Sequence, residues 1–452
     1  MSCLDSQISA VEECLAYGVR GTVVSLGGLT IEASDLALPV GAICRIASAN
    51  GKFTTAEVIG FLHDRTLLMA LDSTAGVARG DRIENVTAAP TIGCCRQMLG
   101  RVLDGLGKPI DGKGPLPLAD PRRLDAPAVA SMGRELIDKP IATSIRCIDG
   151  LLTCGLGQRM GIFSGPGVGK SMLLGQIAKH TGADVSVVGL IGERGREVGE
   201  FLHHSLGVDG LRRCVVIVST GDQAPLLRVR AAKVACTVAE YFRDQGKNVL
   251  LLIDSLTRLA QAQRQIGLSA REPPATKGFP PSVFALLPQI LERAGRVPGG
   301  SVTGFYTVLV EGDDFNEPIP DAVKGISDGH LWLSRPLANR GHFPAIDLLQ
   351  SISRVRSAVA EPDQLRHARR ILSLMAVYQD IEDLVNIGAY VAGTNPEFDL
   401  AVQARPRILQ FLQQDFTAPT TLPQAISQLK DLFNFIDQLD RALRAAAAKK
   451  AK

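Results

Sequence analysis

The 452-residue chain has one tryptophan, no Cys-x-x-Cys pair, no apolar run near membrane-span length and no marked excess of either charge. Each shortage excludes something. A bilayer-crossing helix needs about 20 apolar residues, so any membrane association is expected to be peripheral. The 49 Lys and Arg residues nearly balance 46 Asp and Glu, and a net +3 is too weak a field to point to nucleic acid. Nine cysteines, an odd number, lack the spacing of a zinc knuckle or a thioredoxin-type motif. Those in CVVIVS and ACTVAEY sit among apolar residues and read as buried reduced thiols in a reducing cytosol. The opening MSCLDSQISAVEECLAYG has no basic leader before an apolar core, so no secretory signal is expected.

What the chain does have is a change of texture along its length. Residues 1–17 can form a short amphipathic helix. From residue 18 to about 95, closely spaced β-rich runs such as VRGTVVSLGGLTIEA and TAEVIGFL predict a small barrel. GRVLDGLGKPIDGKGPLP, residues 100–117, is dense in Gly, Pro and Asp and reads as a boundary. An α/β domain is expected over residues 96–355, where apolar runs (RMGIFS, DVSVVGLIG, CVVIVS, NVLLLIDS, SVTGFYTVLV) alternate with helical stretches. That alternation predicts a mainly parallel sheet covered on both faces. Residues 356–452 lose the β signal and read as amphipathic helices.

The chemistry starts at GIFSGPGVGKSM, residues 161–172. In a phosphate loop, backbone N–H groups at a helix N-terminus wrap the phosphates, and the helix dipole favours the anion. Ser164, Gly165, Pro166, Gly167, Val168, Gly169, Lys170, Ser171 and Met172 make up the candidate nucleotide-binding segment. Lys170 would reach the β and γ oxygens, and the Ser171 hydroxyl would ligate Mg²⁺. The strict G-x-x-x-x-G-K-S/T pattern wants glycine where Ser164 stands. The second piece is NVLLLIDSLTR, an apolar strand ending in Asp254, placed to hold a Mg²⁺-bound water opposite Ser171. The third is LIGERGREVGEF, with Glu193, Arg194, Arg196 and Glu197 after another apolar strand. Hydrolysis needs a carboxylate to orient and polarise water, and Glu193 is the candidate.

These three motifs in this order resemble the catalytic-subunit family of rotary ATP synthases. The stretches GRVLDGLGKPIDG, IDGLLTCGLGQRMGIF, GFPPSVFALLPQILERAG and FYTVLVEGDDFNEPIPD are similar to its protein-export branch, the ATPases of type III secretion. The resemblance covers nearly the whole chain. It implies a RecA-like P-loop ATPase core between an N-terminal β-barrel and a C-terminal helical domain, with ATP and Mg²⁺ as ligands. It also implies that Arg194 touches the γ-phosphate, that Glu197 helps hold the Mg²⁺ waters, and that Phe343 in GHFPAID and Phe411 in ILQFLQQDF face the adenine. Arg354 in SISRV would be the arginine finger offered to the neighbouring subunit of a homohexamer. In the export branch the first loop position accepts small residues, so Ser164 fits.

Three rivals are weighed against this. A non-catalytic synthase subunit typically carries Gln where Glu193 stands. An RNA translocase would need interleaved basic and aromatic residues in the barrel, which offers only Phe53 and Phe61, so no nucleic-acid partner is expected. An ordinary synthase subunit is disfavoured by GFPPSVFALLPQILERAG and the shorter tail. Within the export branch, RGHFPAIDLLQSISRV and VNIGAYVAGTNPEFD resemble flagellar members more than virulence injectisome members. The resemblance implies a cytoplasmic enzyme at the inner face of the membrane. Its partners would be regulatory and stalk proteins, the export gate, export substrates and chaperones.

Overall fold

The computed structural model describes residues 18–48, 51–117, 119–310 and 317–450, so the helix expected over 1–17 lies outside the described residues. Six strands form a closed barrel: β1 (Arg20–Gly27), β2 (Thr30–Ser34), β3 (Ile43–Ala47), β4 (Phe53–Leu62), β5 (Arg65–Ala70) and β6 (Arg82–Thr87), in the order β1-β2-β5-β4-β3-β6. Alternate side chains point inward, as a period of two requires, and Val23, Ile31, Ile46, Val58, Leu68 and Ile83 fill the interior. Closure leaves no free strand edge.

The central sheet contains β7 (Val102–Asp104), β8 (Arg159–Ser164), β9 (Val185–Ile191), β10 (Cys214–Ser219), β11 (Asn248–Asp254), β12 (Gly300–Leu309), β13 (Gly329–Leu333) and β14 (Ile346–Ser353). Their spatial order is β14-β13-β8-β12-β11-β9-β10-β7, and Gly295–Val297 adds a short antiparallel strand beside β12. Every neighbour pair along this order is parallel except β13 with β14. The continuous apolar runs are explained by burial on both faces. In β11, Val249, Leu251 and Ile253 join one core, and Leu250 and Leu252 join the other. The first core is covered by α3 (Pro225–Arg243), α4 (Leu256–Ser269) and α5 (Pro281–Leu291), and α1 (Lys170–His180) lies on the second. Between them in the chain, α2 (Gly195–Glu200) follows β9 directly.

The glycine- and proline-rich stretch at 100–117 was expected to separate domains, yet its first residues supply β7, an edge strand paired with β10. The cause is an embedded VLD run and a local clamp. Arg101 donates to both Asp111 oxygens at 2.7 and 2.9 Å, and the Val102 N–H donates to Asp111 at 3.1 Å. These bonds hold the Asp111 carboxyl well below the usual carboxylate range, with the Arg101 bond the largest cause.

The C-terminal region consists of α6 (Pro362–Asn386), α7 (Pro396–Leu412) and α8 (Leu422–Lys450). Leu400, Ala404, Ile408 and Phe411 line the buried face of α7 at helical spacing and continue the second core of the sheet. No helix among the described residues is long and apolar enough to cross a membrane.

Candidate functional site

The parallel register sets the site. Ser164 at the end of β8 lies opposite Leu309 of β12 and Leu333 of β13, and Asp254 at the end of β11 lies opposite Leu190 of β9. The phosphate-loop candidate, Asp254 and Glu193 therefore share the carboxyl edge of one sheet, where ligands bind in open α/β folds. The loop turns into α1 at Gly169, whose φ of +87° disfavours any side chain. A Cβ there would also stand 3.2 Å from the Phe343 ring.

Lys170 is the electrostatic centre. Its ammonium hydrogen-bonds Asp254 Oδ1 and lies 3.7 Å from Glu193 Oε1. Burial pulls the Lys170 pKa down, but Asp254 and Glu193 outweigh that and hold it above its ordinary value. Asp254 is oriented by a second donor, the Thr307 hydroxyl of β12, at 2.7 Å. Glu193 is pushed up to about 7, first by burial and then by Asp254 and Glu197, with Lys170 opposing. Its Oε1 is buried without a hydrogen-bond partner. A carboxyl raised toward neutrality, with a buried oxygen free of hydrogen bonds beside the Lys170 ammonium, is suited to hold and polarise a water.

Glu193 owes its position to Gly192. A Cβ at Gly192 would stand 2.7 Å from the Arg258 Cβ, so the turn after β9 closes tightly onto the start of α4. Ser255 caps α4 by accepting from the Arg258 N–H at 3.3 Å. The Arg258 Nε is buried and without a hydrogen-bond partner.

The remaining candidates separate by placement. Arg194 faces solvent, with 80% of its side chain exposed, and pairs with Glu197 at 3.3 Å. Ser171 and Met172 are exposed on the first turn of α1. Ser164 is fully buried, its hydroxyl unpartnered, so its side chain belongs to the sheet and not to the loop's concave face. Arg354 follows β14, which runs antiparallel to β13, so it stands beside Asp328 at the amino end of the parallel strands. Five residues of strand separate that level from Ser164, about 16 Å. Arg354 is exposed there, and its Nη2 donates to the Lys324 carbonyl at 3.4 Å.

The two aromatic candidates part company. Phe343 contacts the loop at Gly169, but Phe411 is buried in the α7 face against Gly150, beneath the Arg146 guanidinium at 5.5 Å. The second ring near Gly169 is Phe416, 5.9 Å from Phe343 between centroids with the planes at 53°. Phe411 falls in the apolar period of α7, which is a core signal, whereas Phe416 lies beyond the helix end at Leu412 and is free of that period. Thr307 carries no distinguishing signal in the sequence, because its strand buries Ser301 and Thr303 as well.

Residues 18–86 match the ATP synthase alpha/beta family beta-barrel domain, and residues 144–353 match that family's nucleotide-binding domain. Residues 360–431 match the T3SS EscN ATPase C-terminal domain. The chain is 50% identical to the flagellum-specific ATP synthase of Pseudomonas aeruginosa, over 92% of this chain and 93% of the relative. It is 46% identical to the type 3 secretion system ATPase of Xanthomonas euvesicatoria, over 88% and 91% respectively. The assembled ATPase EscN of enteropathogenic E. coli superposes with a TM-score of 0.86 at 43% identity, covering 91% of this chain and all of EscN. In complex with its central stalk EscO, EscN superposes with a TM-score of 0.85. The barrel, nucleotide-binding and C-terminal matches thus follow one another along the chain, which belongs to the ATP synthase alpha/beta family, among its flagellum-specific and type 3 secretion ATPases, as an ATP-hydrolysing enzyme.

Proposed function

We propose that the chain is the ATP-hydrolysing motor of a flagellar protein-export apparatus, working as a homohexameric ring in the cytoplasm at the inner face of the membrane. The observation that carries the ATPase chemistry is Lys170 held between Asp254 and Glu193 at the carboxyl edge of the sheet. ATP entering the loop draws the Lys170 ammonium onto its β and γ oxygens, and Asp254 and Glu193 are released from it. Glu193 then orients the attacking water and receives its proton at a carboxylate oxygen. Arg194 swings from Glu197 to the γ-phosphate, and Arg354 of a neighbouring copy stabilises the charge that develops there. Phe343 and Phe416 flank the adenine.

Magnesium fits these residues. Asp254 and Glu193 both face the Lys170 ammonium, and Glu193 has an oxygen without a hydrogen-bond partner. Ser171 would bind the ion directly, and Asp254 and Glu197 would hold its waters. When bound, Mg²⁺ neutralises charge on the phosphate oxygens.

The placement of Arg354 at the far end of the sheet supports a ring, because it keeps this exposed cation away from the phosphate loop of its own chain. A stalk partner is proposed by likeness to EscN, which is known with EscO. Export cargo, chaperones, gate and regulator are proposed on the resemblance of the sequence to the export branch alone. The flagellar reading is favoured over an injectisome by the higher identity to the P. aeruginosa protein, 50% against 46% for the X. euvesicatoria protein. The test is deletion of the gene in its host. Loss of flagellar filaments, restored by the wild-type gene and not by Glu193→Gln, is expected; intact filaments with loss of injected effectors would support the injectisome reading.

A further inference from the structure

Arg146 makes an unusual set of bonds for a basic residue. Its Nε donates to the Phe411 carbonyl at 2.6 Å, and Nη2 donates to the carbonyls of Gln410, at 3.1 Å, and Gln413. Nη1 donates to the Gln428 side chain of α8 at 3.0 Å. These carbonyls belong to the last turn of α7 and the residue after it, the end of a helix whose C=O groups lack intrahelical donors and where the dipole is negative. Arg146 thus caps α7 from the nucleotide-binding domain. No carboxylate forms an ion pair with it among the described residues, so its charge is spent on backbone.

Gln414 completes the joint from the other side. Its side-chain oxygen accepts from the Arg146 backbone N–H at 2.7 Å, and its amide donates to the Ser144 and Ala418 carbonyls, each at 2.8 Å. Its own N–H donates to the Phe343 carbonyl at 2.9 Å. Two residues later comes Phe416, whose ring meets Phe343 beside Gly169. One short segment, 413–416, is therefore pinned at its start to Arg146 and Phe343 and ends on the aromatic facing the loop.

We propose that Arg146, with Gln414, is a positioning residue for the nucleotide base: by capping α7 it fixes where the C-terminal helical domain sets Phe416 over the phosphate loop. This rests on the reading that Phe343 and Phe416 flank the adenine. Arg146 touches neither base nor phosphate. It acts through backbone, so nucleotide affinity becomes sensitive to any shift of α7 against the sheet.

The experiment is calorimetric titration of the full-length protein with Mg²⁺-ADP and, separately, with Mg²⁺-tripolyphosphate, which has no base. Phe416→Ala reports on the base reading, since losing a stacked ring is expected to weaken ADP about tenfold in Kd. Arg146→Gln is expected to weaken ADP about tenfold as well and leave tripolyphosphate unchanged. Arg146→Lys keeps the charge but cannot bridge three carbonyls, and is expected to weaken ADP about threefold while preserving the fold. If Phe416→Ala weakens ADP selectively but neither Arg146 variant does, the positioning role is overturned and the base reading stands. If Phe416→Ala changes nothing, the base reading falls and the positioning role with it. Equal weakening of both ligands by Arg146→Lys marks a general structural loss and overturns the proposal.

Discussion

The ammonium of Lys170 is hydrogen-bonded to Asp254, so the phosphate-loop lysine at the start of α1 and the acid at the end of β11 form a buried ion pair. The pair has consequences in both directions. Lys170→Ala removes the only ammonium in contact with Asp254 and Glu193 among the described ion pairs, and leaves two acids facing each other. Nucleotide binding by this variant is expected to fall below detection in equilibrium dialysis, and turnover by about a hundredfold or more, the scale of losing one preorganised charge.

Glu193 gives the pH dependence a sign. Its carboxyl is raised to about 7 from 4.5, so the folded protein holds a proton that the unfolded chain has released. Stability from this group is fully present below pH 4.5 and is lost as pH rises through about 7. Asp149 and Glu57, also raised to about 7 by burial, act in the same window. The readout is therefore a difference. Glu193→Gln should flatten part of the decline in Tm between pH 5 and about 7.5 relative to wild type. In the active enzyme the same titration makes kcat rise with pH through this range, as the carboxylate form appears.

Arg354 and the phosphate loop of one chain lie at opposite ends of its sheet. Arg354→Ala and Lys170→Ala should each turn over ATP at least about a hundredfold more slowly than wild type when alone. Mixed in equal amounts and reassembled, they should regain activity at interfaces joining an intact loop to an intact Arg354, about a quarter of those in a randomly mixed ring. A steady-state assay of the mixture reads this directly, and no recovery would place Arg354 outside the neighbouring site. Wild-type specific activity should climb with protein concentration, since an arginine finger is worth about 10³–10⁵ in rate.

Ser164 carries a buried hydroxyl with no hydrogen-bond partner. Removing such a group costs little or stabilises. Ser164→Ala is expected to match or exceed wild type in Tm, with hydrolysis unchanged, and Ser164→Gly should also leave hydrolysis nearly unaltered.

Sequence pattern reached the parts of the site that are local in the chain. The loop at 165–170, Asp254 and Glu193 each follow an apolar strand directly, and that local order alone puts them on one sheet edge. Fold class was legible for the same reason, from the alternation of apolar runs with helices. Thr307 and Phe416 were not, because what makes them important is register: Thr307 meets Asp254 from the neighbouring strand, and Phe416 meets Phe343 only after α7 has been placed. Phe411 shows the opposite trap. An aromatic at the right distance in a motif was already claimed by the helix period that buries it. The edge strand at Val102–Asp104 was hidden by the glycines and prolines after it, and depends on the Arg101–Asp111 clamp.

The most direct measurement of the central claim is a paired assay on Glu193→Gln: ADP affinity by calorimetry and single-turnover hydrolysis of ATP by the assembled protein. The account predicts Mg²⁺-ADP affinity within about threefold of wild type, because Lys170 and the loop are untouched, and cleavage slowed by at least about a hundredfold. Cleavage at a rate near wild type would contradict it and remove Glu193 from the chemistry.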